Sequence, residues 1–297
     1  MRTKGFTLRL ATLATALVVG PATLAPGAAE APVASGTAAT ATSATAALTG
    51  DRTTAAKRYK WRLLQWDFAW EFGESLDSGA YLGPDRRGGR WIEHSNGTGR
   101  AVKYGGGIEF HSGERYEGAP DRGTTTLTLA DKPSRLGRWE LRERFRLPET
   151  TGTGYQFVVE LVPEGTLPDE CPAYSLVLGS SVPRDGSVRI GVDIGNTAWN
   201  KTLSGYGRVE KEARLYGVQI TGKAIVWFLD SRPVAKLAAP AAIPKVPLTL
   251  RMRLVGKEGV EMRKSDLLID WVRHYDLTKG LRPATDGRLV RGTSPSC

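Results

Sequence analysis

From residue 124 to residue 275 the chain is a succession of short runs in which apolar and polar side chains alternate, each stopped by Gly, Pro or Asp. A period of two sends successive side chains to opposite faces of a strand; a helix needs apolar residues at i, i+3, i+4 and i+7, and no long stretch has that spacing. Residues 124–129 alternate Thr with Leu, and residues 141–147 set Leu141, Glu143, Phe145 and Leu147 against Arg142, Arg144 and Arg146. Further runs follow at 155–162, 174–178, 188–194, 215–220, 224–229, 247–255 and 267–275. So many strands at short spacing predict an all-β chain, a two-sheet antiparallel sandwich or jelly roll rather than a parallel α/β sheet. The 35 Gly and 17 Pro residues supply the turns.

The N-terminus has a different grammar. Arg2, Lys4 and Arg9 precede an apolar run from Leu10 to Val19 that is too short to span a bilayer, and Ala29-Glu30-Ala31 fits a small-residue cleavage site. Residues 1–31 are expected to be a signal peptide and the protein to be secreted, with no membrane span elsewhere. Residues 32–56 are Ala, Thr, Ser and Gly with almost no large apolar side chain, a composition that cannot repay the entropy of ordering. They are expected to be a disordered linker, either a stalk or an inert remnant. Residues 57–279 then form the jelly-roll domain and 280–297 a C-terminal tail.

The signal segment carries Arg2, Lys4, Arg9 and Glu30, a net +2, which leaves +8 of the formal +10 on the exported chain. Such a charge either suits a polyanionic neighbour, such as an acidic cell-wall glycan, or serves solubility alone. No nucleic-acid motif accompanies it. With two Cys and three His scattered along the chain, no zinc spacing exists, so neither metal nor cofactor is expected. Outside the cytoplasm an even pair of cysteines is expected to bridge. A Cys171–Cys297 bridge would close a long loop, for which chain entropy gives roughly 4–5 kcal/mol.

Four of the predicted strands resemble a known family in series. Leu141-Arg-Glu-Arg-Phe-Arg-Leu-Pro148 resembles the strand that opens the core of family 16 glycoside hydrolases, the laminarinase-like jelly rolls of the concanavalin-like superfamily. The stretch from Tyr216 to Val234, with Asp230-Ser-Arg-Pro-Val234 at its end, is similar to their hairpin ending in Asp-Gly-x-x-Val. Pro247-Leu-Thr-Leu-Arg-Met-Arg-Leu-Val-Gly256 is similar to the strand that follows, and Leu267-Leu-Ile-Asp-Trp-Val-Arg-His-Tyr275 to their closing strand. The resemblance runs from about Trp66 to Leu277 and implies a concanavalin-like β-jelly roll with a polysaccharide or cell-wall glycan as partner.

It also implies a catalytic strand, and there the chain departs. The family's strand carries Glu-x-Asp-x-(x)-Glu, whose carboxylates share one face and act as nucleophile and acid/base about 5–5.5 Å apart. The equivalent segment, Ala173-Tyr-Ser-Leu-Val-Leu-Gly179, has no carboxylate. The remaining candidate acids are Asp193 on the following run, Glu160 on the run before, and Asp169 and Glu170 in the loop between; Asp193 either meets a sugar hydroxyl or pairs with Arg189 or Arg251. Pyranose rings stack on aromatic side chains beside polar groups that catch hydroxyls. Trp199 flanked by Asn196 and Asn200, together with Tyr174, Tyr155 and Trp91, is therefore expected to bind carbohydrate, while Trp66, Trp70, Trp139, Trp227 and Trp271 sit at core positions. The expected function is a secreted glycan-binding protein without the family's hydrolysis. The alternative is an active carbohydrate enzyme, hydrolase or lyase, with relocated catalytic groups.

Overall fold

The computed structural model describes residues 53–70, 90–104, 106–112, 123–146, 152–206, 213–257, 260, 262–277 and 288–291. They belong to one compact unit, Ala47–Cys297. In chain order its elements are α1 (Ala55–Arg58), β1 (Leu64–Phe68), β2 (Trp91–Ser95), β3 (Arg100–Tyr104), β4 (Gly107–Ser112), β5 (Thr125–Leu129), β6 (Gly137–Arg146), β7 (Gln156–Pro163) and β8 (Tyr174–Ser181). These are followed by β9 (Ser187–Ile194), β10 (Thr197–Ser204), β11 (Ala213–Ile220), β12 (Ile225–Leu229), β13 (Arg232–Leu237), β14 (Leu248–Val255), β15 (Ser265–Tyr275) and β16 (Val290–Arg291). The back sheet runs β13-β12-β11-β6-β15-β4-β3, with β1 also on β15; the front sheet runs β16-β10-β9-β8-β7-β14-β5-β2. Every strand pair is antiparallel. The expected all-β jelly roll of two antiparallel sheets is what forms.

The alternation read along the sequence decides which side chains meet between the sheets. Phe157, Val159 and Leu161 of β7 and Leu250, Met252 and Leu254 of β14 face Trp139, Leu141 and Phe145 of β6 and Tyr216, Val218 and Ile220 of β11 in one buried cluster. Aromatic rings bridge the two layers: Trp199 lies on Trp227 at 4.9 Å between centroids, and Phe157 meets both Phe145 and Tyr216 at 6.2 Å. At Gly179 the sheets come so close that a Cβ would stand 2.2 Å from the Tyr216 ring. Only glycine fits there.

The outer face of the back sheet is covered as well. β12 is buried along its whole length, because Val226 and Phe228 point outward under Ala55, Ala56 and Trp61. The spacer expected to reach residue 56 therefore ends earlier: two of its alanines, Ala55 and Ala56, are small enough to lie flat on the sheet as the short helix α1. Residues 1–52, with the expected signal peptide and most of the spacer, lie outside the described residues. So do residues 278–279 at the end of the expected domain, and 280–287 and 292–297 of the expected tail.

Two buried titratable groups oppose one another in their pH dependence. Glu140 on β6 accepts the Ala55 N–H at 2.5 Å, and burial pushes its carboxyl up to about 7 against the pull of the Ala55 and Ala56 amides. His274 on β15 lies between Trp66 and Trp139, and burial pulls its imidazole down to about 4. Glu140 thus destabilises the fold as pH rises from about 4.5 towards 7, where the unfolded carboxyl ionises and the folded one does not. His274 destabilises it as pH falls from about 6.5 towards 4, each effect being on the order of 3 kcal/mol. Calorimetry should find the two slopes largely cancelling between pH 4.5 and 6.5. In Glu140→Gln the melting temperature should rise with pH across that window, and a flat profile there would refute the assignment.

Candidate functional site

The outer face of the front sheet carries a polar surface that alternation sends away from the core. β7 presents Gln156, Val158, Glu160 and Val162; β14 presents Arg251 and Arg253; β9 presents Arg189, Gly191 and Asp193. On β8, Leu176 and Leu178 point inward and Gly179 abuts Tyr216, so the register slips by one residue between Val177 and Ser180. The β8 side chains on the outer face are consequently Ser175, Val177 and Ser180.

Glu160 organises this surface. Its Oε1 accepts Arg251 Nε at 3.0 Å and Arg253 Nη2 at 2.9 Å, and its Oε2 accepts Ser175 Oγ at 2.6 Å. Glu160 and Arg251 are fully buried although they lie on the outer side of a sheet. The cover is the loop between β7 and β8. Arg251 Nη1 donates to the carbonyls of Leu167, Pro168 and Glu170 at 3.1, 3.3 and 3.1 Å, drawing that loop across β14. Farther out, Asp169 Oδ2 reaches His94 Nε2 on β2 at 2.9 Å, an exposed pair of little energetic weight. With three donors on its carboxyl group Glu160 is an immobile anchor, and the loop that Arg251 holds down roofs this half of the face.

Beyond the roof, where β7 begins and β14 ends, a cavity of about 420 Å³ opens among Gly154, Gln156, Val182, Asp185, Lys257 and Arg263. Gly154 makes the room, since a Cβ there would stand 2.4 Å from Arg263 Nη2. Gln156 Nε2 donates to Ser180 Oγ at 2.6 Å, which carries the polar lining back to β8. Lys257 is exposed and Arg263 half-buried. The cavity thus offers two cations, one carboxylate and an amide–hydroxyl pair, groups able to orient a polar, anionic ligand.

Neither a family model nor a curated relative matches the sequence. Solved structures do match in shape. The laminarinase from Rhodothermus marinus is 18% identical over 74% of this chain and 98% of its own, with a TM-score of 0.55. The laminarinase from Flavobacterium sp. UMI-01 is 17% identical over 72% of this chain and 100% of its own, with a TM-score of 0.54. The endo-β-1,3-glucanase from Pyrococcus furiosus is 13% identical over 74% and 96%, also at 0.54. The fold is a laminarinase-type jelly roll.

Within the laminarinase-type fold, the residues expected to bind carbohydrate do not gather into one platform. Trp199 is 6% exposed and packs on Trp227 in the core, which corrects the expectation of an exposed stacking surface. The segment around it, outside every predicted run, is β10. Its Ala198, Asn200, Thr202 and Ser204 point outward and Trp199 and Leu203 inward, after a turn whose Gly195 has φ +53°. Trp91 is likewise a core residue, against Phe68 and Trp70. Tyr155 is fully buried. Tyr174 packs on the core and donates its hydroxyl to the Ala242 carbonyl at 3.0 Å, burial pushing its pKa up. Asn196 and Asn200 are exposed on the β9–β10 hairpin. Asp193 is 2% exposed on the outer face, directly opposite Ser175; Arg251, one of its two expected partners, engages Glu160. Of the five tryptophans assigned to packing, Trp66, Trp70, Trp139 and Trp227 are buried, whereas Trp271 is half-buried on the outer face under Arg273, 4.2 Å from its ring. Glu160, one of the candidate acids, is buried and engaged by Arg251, Arg253 and Ser175, whereas Lys257 and Arg263 were not singled out. The alternation of β7 and β14 placed Glu160 and Arg251 on an outer face, but not against each other.

The buried pair yields a stability test. Arg251→Ala removes one charge and leaves Glu160 partly uncompensated along with three loop carbonyls, so urea unfolding should show a loss of about 3–5 kcal/mol. Replacing the pair with Glu160→Gln and Arg251→Met together should cost less than Arg251→Ala alone. Equal or greater loss in the double variant would contradict the ion-pair account.

Proposed function

We propose that this is a secreted glycan-binding protein that uses a laminarinase-type jelly roll without hydrolysing its ligand. One observation carries the reading: the three β8 side chains on the outer face are Ser175, Val177 and Ser180. Their spacing is that of the Glu-x-Asp-x-x-Glu strand in the family that the sequence resembles, with two hydroxyls and an isopropyl group in place of three carboxylates. Retaining hydrolysis needs a nucleophile and an acid on that face, about 5–5.5 Å apart. The nearby Glu160 is fully buried and engaged by two guanidiniums and Ser175, so it is not open to a ligand on that face. The ligand we assign is an acidic polysaccharide. Lys257 and Arg263 line the open cavity, and the exported chain carries the excess of positive charge deduced above.

Two assays decide the matter. The purified protein should release no reducing sugar from β-1,3- or β-1,4-glucans, and any release lost in Asp193→Asn would restore the enzymatic alternative. Binding to a carboxylated or sulfated polysaccharide should weaken as salt rises and fall about tenfold or more in Lys257→Ala/Arg263→Ala, while a neutral glucan is bound less tightly. Unchanged affinity in that variant would remove the cavity from the site.

Export carries a second expectation. Cys171, exposed in the loop before β8, is not a free thiol, and Cys297 lies outside the described residues. We propose the Cys171–Cys297 bridge. Native secreted protein should titrate no thiol, and reductant should lower its melting temperature by several degrees. Two reactive thiols would rule the bridge out.

A further inference from the structure

The outer face of the back sheet holds a second cluster, separate from the glycan site. β4 turns Ile108 and Phe110 into the core and Glu109 and His111 outward, and β15 sets Asp266 directly across from His111. Asp266 Oδ1 lies 2.8 Å from His111 Nδ1. An ionised carboxylate can only accept, so Nδ1 carries the proton and Nε2 is left with its lone pair. Nε2 stands 3.4 Å from Glu109 Oε2. These side chains are shielded, with 3% exposure at Glu109, 11% at His111 and 18% at Asp266. One atom from each of the three residues can be chosen so that all lie within 4.8 Å of one another.

The distance between Nε2 and Oε2 is informative. Two donors that each bind a tetrahedral cation at about 2.0–2.1 Å stand about 3.3–3.4 Å apart, which is the separation here. A carboxylate on the far nitrogen of a metal-binding imidazole is also the usual device for fixing its tautomer and raising its basicity.

We propose that Glu109 Oε2 and His111 Nε2 bind a divalent cation of the zinc class, with Asp266 as the orienting carboxylate and solvent completing the coordination. The imidazole selects such a cation over calcium or magnesium, which take oxygen ligands. Arg146, whose Nη1 lies 3.5 Å from Glu109 Oε1 and whose guanidinium sits 5.1 Å from the Tyr104 ring, opposes the cation electrostatically and sets a ceiling on affinity. The chain's other two histidines do not share the arrangement: His94 is exposed beside Asp169, and His274 is enclosed by Trp66 and Trp139.

The test uses tag-free, chelator-treated full-length protein titrated with Zn²⁺ at neutral pH, followed by calorimetry and thermal unfolding. One Zn²⁺ should bind per chain and raise the melting temperature by several degrees, while equal concentrations of Ca²⁺ or Mg²⁺ should not. His111→Gln and Glu109→Gln should each weaken binding at least tenfold, Asp266→Asn should weaken it, Arg146→Gln should tighten it, and His94→Gln should leave it unchanged. Co²⁺ should give visible d–d bands that disappear in His111→Gln. Absence of saturable Zn²⁺ binding, binding that survives in His111→Gln, or equal stabilisation by Ca²⁺ would overturn the proposal.

Discussion

Contact between the inner faces of two twisted sheets is the constraint from which the rest of this molecule follows. Trp199 on Trp227, and Phe157 between Phe145 and Tyr216, tie the layers together, and Gly179 sets how closely they approach. Once every second residue is committed to that interface, the intervening residues have no choice but the outer faces. Glu160, Arg251 and Arg253 are outward for that reason, as are Glu109 and His111 on the opposite sheet. The chemistry of the protein is confined to positions that the core leaves over.

On the outer face of the front sheet those positions go to a buried ion-pair cluster under a loop. A hydrolytic groove needs carboxylates that are close, accessible and free to exchange protons. Here the prominent carboxylate is satisfied by two guanidiniums and a serine, and one of those guanidiniums pins a loop across the sheet. Removing two charges from water is costly, so such a cluster persists only when its hydrogen bonds are nearly complete, and that completeness holds the loop in place. The open end of the face, by contrast, keeps Lys257 and Arg263 near solvent. One superfold can thus hold a catalytic strand or a roofed, cationic surface, because shape similarity constrains the backbone and not the side chains it displays.

The elements most legible in the sequence were the long alternating runs of β6, β7, β11, β12, β14 and β15, in which the apolar face alone names the inward residues. β10 was missed because the alternation of Trp199 and Leu203 against Asn200 and Thr202 went unused, and Gly195-Asn196 was not recognised as the turn of a tight hairpin. The tryptophans show the limit of the method. Trp199 and Trp91, flanked by polar neighbours, were read as exposed and are buried; Trp271, inside a strong strand pattern, was read as buried and is half-exposed next to a register shift at Ile269. Alternation says that neighbours point opposite ways, but a bulge or an unrecognised strand end inverts which way each one points.

By itself, then, the sequence determined the all-β class, the antiparallel sandwich, most of its core and the want of carboxylates in the segment 173–179. Only the tertiary structure decided which polar residues meet: Glu160 with Arg251, 91 positions apart, and His111 with Asp266, 155 positions apart. The physical reason is one of range. The direction of a side chain is a local property of a strand, set by its immediate neighbours, whereas the partner across the ladder is set by register, which depends on every turn, bulge and sheet contact between the two residues.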